Sequence, residues 1–314
     1  MHSEQCTLYT CCMENESHLL HDPETGDWIV SAPRRAKRPS SVESSKSPPK
    51  VGQPLAEKVT DIFSPTRLKR EKVITIFGRG RDRITVIENK FPVFVRGKGV
   101  SGYQELLVEG MRVRSFATFS VVQIAQVLRA YAARAKAIRR MRGMKSLIIF
   151  KNEGREAGAS QPHPHSQIFA LAFVPKRYGS QKSKVYKVKS RLSSHLIIFS
   201  DRYAVAYANP TPRFPYEARI MTRRRIDNLT KATSKEVTSL ARALHACLAF
   251  VRKRKLAYNY YFHDVFANAQ EHFEIRFTPR GVNVWGGFEL DAGIAVNPVT
   301  PEQAAEEYRA AFEK

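Results

Sequence analysis

The sequence predicts an α+β fold of two fused half-domains, each an antiparallel sheet with packed helices. Three observations predict it. The order strand, strand, helix, strand, strand occurs twice along the chain. The first-half segment Arg83–Asn89, RITVIEN, resembles the second-half segment Arg202–Asn209, RYAVAYAN, including the polar end. Each half also carries one long segment with apolar residues three and four apart, the spacing of an amphipathic helix. A repeat of this kind marks a duplicated unit, and neither its sheets nor its helices can cover their apolar faces alone. The half-domains are expected over residues 21–180 and 181–314, behind a flexible tail over 1–20.

The elements follow in order. A turn at Pro23–Gly26 leads into a short apolar strand at Trp28–Val30, then into a basic segment with Arg34, Arg35, Lys37 and Arg38. Residues 40–58, rich in Ser, Pro and Lys, read as a loop. ITVIENKFPVF, from Ile84, is a strand that ends in a turn at Asn89–Lys90, and Tyr103–Glu109 is its neighbour. Ser120 begins a helix with Ile124, Val127, Leu128, Tyr131, Ala135 and Ile138 on one face. Leu147–Phe150 is a short buried strand. In the second half Tyr216–Met221 is a strand, and Ser234 starts a helix with Val237, Leu240, Ala241, Leu244, Leu248 and Val251 on one face. Glu236 places favourable charge near its amino end. YNYYFHDVF and HFEIRF are the last two strands of the repeat. GGFELDAGIAVN, read on its own, is a terminal strand, and an amphipathic helix follows it.

Composition narrows the function. The chain has 314 residues, 43% of them hydrophobic, enough for one large or two smaller cores. No run of about 18 apolar residues suggests a membrane span. The amino terminus lacks a basic segment followed by an apolar core, so no secretory signal is expected. Four cysteines, Cys6, Cys11, Cys12 and Cys247, do not make a disulfide framework in a chain of this length. A cytoplasmic protein is the expectation. Cys6, Cys11, Cys12, His18 and His21 have no zinc-site spacing and read as part of a frayed tail. The formal charge of +23, from 52 Lys and Arg against 29 Asp and Glu, is spread over clusters such as Arg67–Lys72 and Arg223–Arg225. Such a field attracts nucleotides and favours nonspecific nucleic-acid binding at low salt.

Chemistry concentrates in Asn152–Ala170, NEGREAGASQPHPHSQIFA. His163 and His165 are two apart, so a strand would point both imidazoles to one side. Pro162 and Pro164 hold the backbone extended. Gly154, Gly158 and Ser160 form a small-residue loop whose backbone N–H groups suit an anion. Paired histidines alone read as metal ligands or surface residues as readily as nucleophiles. The full pattern Asn152-x-Gly154-x-x-x-Gly158-x-Ser160-x-x-His163-Pro164-His165-x-Gln167, however, resembles the active-site signature of the galactose-1-phosphate uridylyltransferase family of the histidine-triad superfamily. The segment around Arg35 and Arg38 resembles that family's entry motif, and the likeness runs over about residues 21–314.

The resemblance implies a fold of two fused histidine-triad-like half-domains and a nucleotidylyltransferase activity. Transfer of UMP between a UDP-sugar and a hexose 1-phosphate would run through a covalent nucleotidyl-histidine on His165, in ping-pong order. Gln167, Ser160 and backbone N–H groups would stabilise the phosphoryl charge, and His163 would orient the site. Arg35 and Arg38 would neutralise the phosphates by their planar forks. Asn89, Lys90, Asn152 and Gly158 would contact the nucleotide. Phe288, Glu289 and Asn297 would help hold the sugar phosphate, often for the neighbouring subunit of a homodimer.

The chain departs from the family at its metal. Zinc-containing members carry a C-x-x-C pair, for which SSVESSKSPP offers no cysteine, and a Gly-x-His-Glu histidine, where Gln104 stands. With His163 alone, no zinc is expected. In the second copy, His272-Phe-Glu274-Ile-Arg276 replaces the reactive motif, implying a scaffold role. Two other functions stay open: adenylyl transfer or phosphorolysis of an ADP-sugar or dinucleotide, and noncatalytic nucleotide or RNA binding.

Overall fold

The computed structural model describes residues 18–21, 27–31, 61–95, 101–179, 193–267, 272–282 and 285–312. β1 (His18–His21) pairs antiparallel with β2 (Trp28–Ser31). His18–Leu20 of β1 thus fall inside the segment 1–20 expected to be a flexible tail. Arg35, Arg38, the Ser-rich stretch, the Pro23–Gly26 turn, the amino-terminal cysteines and the half-domain boundary near 180 lie outside the described residues.

The first half continues with α1 (Pro65–Leu68), β3 (Val73–Phe77), β4 (Ile84–Glu88) and β5 (Gly102–Glu109). Then come α2 (Val121–Ile138), β6 (Ser146–Glu153), β7 (His165–Leu171) and α3 (Lys176–Gly179). The second half has β8 (Ile197–Ser200), β9 (Ala204–Ala208), β10 (Ala218–Thr222) and α4 (Ser234–Arg254). It ends with β11 (Ala257–Val265), β12 (Glu274–Arg280), α5 (Gly287–Ala292) and α6 (Pro301–Phe312).

β3 to β12 form one antiparallel sheet in the order β3-β4-β5-β7-β6-β11-β12-β10-β9-β8. The order reads the same from either edge once each strand is exchanged for its counterpart, and β6 and β11 meet at the middle. The chain is thus α+β, with two like halves sharing one sheet. α2 and α4 pack together on one face. The helix residues expected on the apolar faces are buried there, and Ile149, Ile168, Ile220 and Ile275 of the strands join them in one core. Both helices begin with a reciprocal capping box, Ser120 with Gln123 and Thr233 with Glu236.

The duplication extends to single hydrogen bonds. Asn89 N–H donates to the Gln104 carbonyl at 3.3 Å, and Asn209 N–H to the Glu217 carbonyl at 2.8 Å. Asn89 Nδ2 donates to Gln104 Oε1 at 3.2 Å, and Asn209 Nδ2 to Glu217 Oε2 at 2.9 Å. The same side-chain oxygens accept from Val93 N (3.0 Å) and Arg213 N (3.0 Å). Gln104 is therefore the residue that braces the Asn89 turn, as Glu217 braces its counterpart. It stands opposite Phe169 in the sheet, away from His163, so its place in a zinc site is corrected. The expected strand within GGFELDAGIAVN is also corrected. Glu289 accepts from Gly286 N–H at 3.0 Å, and left-handed Gly293 ends the turn, so the segment starts as helix α5.

Candidate active site

Alternation along β7 sets the site. Ser166, Ile168 and Ala170 face the helices, so His165 and Gln167 face the other side of the sheet. Leu106 and Val108 of β5 stand opposite Gln167 and His165. On this face lies a cavity of about 530 Å³. Ile62, Phe63, Ile87, Phe91 and Leu106 give it apolar walls suited to a flat base. His165, Gln167, Ser160 and Gln161 line its reactive end, and Asn89, Lys90, Arg67 and Arg70 supply polar and cationic groups. Lys90 Nζ also donates to Glu71 at 2.8 Å.

His165 is held at several points. Its Nδ1 lies 2.9 Å from the His163 carbonyl oxygen, an acceptor, so Nδ1 carries the proton in the neutral ring. Nε2 is then the basic, nucleophilic nitrogen. The Phe63 ring lies 5.1 Å from the imidazole, and the residue is only 4% exposed. Lys151 Nζ donates to the His165 carbonyl at 3.1 Å and pairs with the buried Glu109 carboxylate. Ser166 and Tyr131 hydroxyls donate to the same carboxylate, and the Tyr131 and Tyr260 hydroxyls lie 2.7 Å apart. Burial pushes both phenols well above their usual range, so they remain protonated in this network.

His163 is fully buried behind the cavity wall rather than lining it. Its Nδ1 meets Asp61 Oδ2 at 3.0 Å and its Nε2 meets the Gly110 carbonyl at 3.1 Å. Asp61 and Ser64 have the spacing of a C-x-x-C pair, and the fold brings this segment, not Gln104, to His163. Both ring nitrogens face protein oxygens, and among the described residues no three His, Cys, Asp or Glu side chains gather. The groups around His163 do not fit a zinc centre.

The loop before β7 is a tight turn. Gly154 has φ 87°, and a Cβ there would stand 2.5 Å from the Ala257 Cβ, so glycine is required. Asn259 Nδ2 donates to Asn152 Oδ1 (2.9 Å) and to the Ala157 carbonyl (2.8 Å), tying the loop to β11. Asn152 and left-handed Gly158 thus shape the loop that presents Ser160, without lining the cavity themselves. Of the expected site residues, His165, Gln167, Ser160, Asn89 and Lys90 come together. Phe288, Glu289 and Asn297 do not join them in this chain. Phe288 is 57% exposed, Glu289 caps α5, and Asn297 Nδ2 donates to the Pro212 carbonyl at 3.4 Å. Sequence reasoning missed Asp61, Phe63, Arg67 and Arg70. The basic cluster Arg67–Lys72 and the Asp61–Ser64 spacing were the available signals.

Comparisons with known proteins agree with this frame. A family model described as galactose-1-phosphate uridyl transferase, N-terminal domain, matches residues 96–175. The chain is 28% identical to an ADP-glucose phosphorylase from Arabidopsis thaliana, covering 95% of this chain and 94% of the relative. It is 24% identical to a galactose-1-phosphate uridylyltransferase from Thermotoga maritima, covering 93% and 97%. The solved structure of an Arabidopsis thaliana ADP-glucose phosphorylase with bound ADP-glucose superimposes with a TM-score of 0.72 at 24% identity, over 94% of this chain and 98% of that one. A uridylyltransferase mutant structure gives 0.73 at 22% identity, over 94% and 97%. With the His-Pro-His-Ser-Gln strand and the duplicated sheet, the chain is similar to galactose-1-phosphate uridylyltransferases and an ADP-glucose phosphorylase over nearly its whole length, and residues 96–175 match the uridyl transferase family's amino-terminal model.

Proposed function

We propose that the protein transfers a nucleotidyl group from a nucleoside diphosphate sugar to a phosphate acceptor through a covalent intermediate on His165. The observation that carries this reading is the Nδ1 contact to the His163 carbonyl, which leaves Nε2 as the basic nitrogen of a ring that lines the cavity. Nε2 attacks the α-phosphorus, a P–N bond forms, and the P–O bond to the leaving sugar 1-phosphate breaks. The acceptor phosphate oxygen then attacks the same phosphorus, and the electrons of the P–N bond return to Nε2. Gln167 and Ser160 donate to the phosphoryl oxygens. Arg35, Arg38, Arg67 and Arg70 offset the diphosphate charge, while Asn89 and Lys90 meet the nucleoside.

The first reading of the substrates is UMP transfer between a UDP-sugar and a hexose 1-phosphate. The second is adenylyl transfer from an ADP-sugar to inorganic phosphate, which the 28% identity to an ADP-glucose phosphorylase favours. Asp61 stands in for a metal at His163, so turnover requires no zinc. Phe288, Glu289 and Asn297 act, in this reading, on the sugar phosphate of a neighbouring subunit in a homodimer. The cytoplasm, where nucleotide sugars are used, is the proposed location, and among the described residues no helix is long and apolar enough to cross a membrane. The test is glucose 1-phosphate release from UDP-glucose with galactose 1-phosphate, and from ADP-glucose with inorganic phosphate. Turnover with one pair and none in His165→Ala is expected. Nucleotide binding without turnover of either pair would contradict the proposal and favour the noncatalytic binding reading.

A further inference from the structure

The second half contains its own cavity of about 300 Å³, and sheet register places it at the counterpart of the first. Leu106 faces Gln167 across β5 and β7, and Arg219 faces Arg276 across β10 and β12. Val108 faces His165, and Met221 faces Glu274. Asn209 and Thr211 line the second cavity as Asn89 and Phe91 line the first. The nucleophile position is thus occupied by a carboxylate, while an apolar wall residue and the supporting glutamine have both become arginines.

The charges do not balance. Arg177, Arg213, Arg219 and Arg276 line the cavity. Two carboxylates oppose them. Glu274 bonds Arg219 and, at 2.7 Å, Arg276 Nε, and Glu217 Oε2 is taken up by the Asn209 amide and the Arg213 backbone. Among the described residues, four guanidinium groups meet two carboxylates, an excess of two positive charges around a concave space. Of the two outer arginines, Arg213 lies over the Trp285 ring at 4.7 Å, which fixes its position without neutralising its charge, and Arg177 is exposed. An anion of charge about −2 with oxygens for planar forks closes the account, and that is the chemistry of a phosphate monoester or of inorganic phosphate. The volume is at the low end for a ligand pocket and excludes a whole nucleoside diphosphate sugar.

We infer that the degenerate half is a phosphate-binding site, a second anion site distinct from the His165 cavity. Its test is calorimetric titration of the full chain with inorganic phosphate and, separately, with glucose 1-phosphate. Arg177→Ala/Arg213→Ala removes two exposed side chains, so the fold is retained. Arg140→Ala/Arg142→Ala removes the same charge elsewhere on the exposed surface. The expected result is loss of one binding equivalent per chain, or at least a tenfold weaker affinity, in the first variant alone. Tighter binding of glucose 1-phosphate than of phosphate identifies a sugar phosphate as the occupant, and equal binding identifies phosphate itself. Unchanged binding in the Arg177/Arg213 variant, or equal loss in both variants, would overturn the site and assign the binding to the general field.

Discussion

The two halves carry one backbone plan and opposite chemistry. Each has an asparagine turn braced by a side-chain oxygen, a capped helix beneath the sheet and a cavity above it. In the first half His165, Gln167 and Leu106 make a basic nitrogen beside an apolar wall. In the second, Glu274, Arg276 and Arg219 occupy the facing positions, and both arginines donate to Glu274. Three side chains separate the His165 strand and its neighbour from a charge-locked pair, while the backbone pairing of the strands is kept. The fold supplies positions, and the chemistry is decided residue by residue upon them.

The most severe way to break the contrast is to copy the second half into the first. His165→Glu should lower nucleotidyl transfer by at least about a thousandfold, as loss of a covalent nucleophile does, while the circular dichroism spectrum stays unchanged. Turnover near the wild-type rate would move the nucleophile elsewhere. Next is the buried support. Glu109 pairs with Lys151 beneath His165, whereas its register counterpart is Thr222. Glu109→Gln should cost about 3–5 kcal/mol in urea unfolding, because it leaves the lysine charge buried and unpaired. Thr222→Ala should cost about 1 kcal/mol. Equal costs would remove the special support assigned to the reactive strand.

A smaller effect is expected at Asp61, which holds His163 and does not line the cavity. Asp61→Ala should lower kcat by about tenfold with KM little changed, since a misplaced nucleophile affects the reacting geometry more than binding. A raised KM at unchanged kcat would place Asp61 in substrate binding instead. The least effect separates the two helix caps. Glu236 caps α4 where Gln123 caps α2, and hydrogen bonding from Arg224 holds its carboxyl below the usual 4.5. A depressed carboxylate contributes stability above its unfolded pKa and loses it as pH falls through the folded value. The Tm advantage of the wild type over Glu236→Gln should therefore be full at pH 7 and shrink below about pH 4.5, whereas Gln123→Ala should cost the same at both. A constant Glu236→Gln difference across that range would contradict the assignment.

Much of this was legible in the residues themselves. Periodicity located α2 and α4 because their buried faces recur every three or four positions, and the His-Pro-His-Ser-Gln spacing located the reactive strand. Asn89 and Lys90 were expected from the family resemblance alone, since the residues by themselves read as a core strand with a polar end, and both line the cavity. Asp61, Phe63 and Arg67 were not found, since their short segment has neither helical nor strand period and gains meaning only when it folds against His163. Gln104 was misplaced for a related reason. Its sequence neighbourhood resembles a ligand motif, but strand register puts it opposite Phe169. Register across a sheet is a property of pairing, which one strand's sequence does not carry.

The central claim is the covalent use of His165. Its most direct test is the intact-protein mass after mixing with UDP-glucose and, separately, with ADP-glucose, each without acceptor. An increase equal to one nucleotidyl group, seen with one donor and absent in His165→Ala, is the predicted result and names the base. An adduct that persists in His165→Ala, or none with either donor in a protein that turns that donor over, would contradict it.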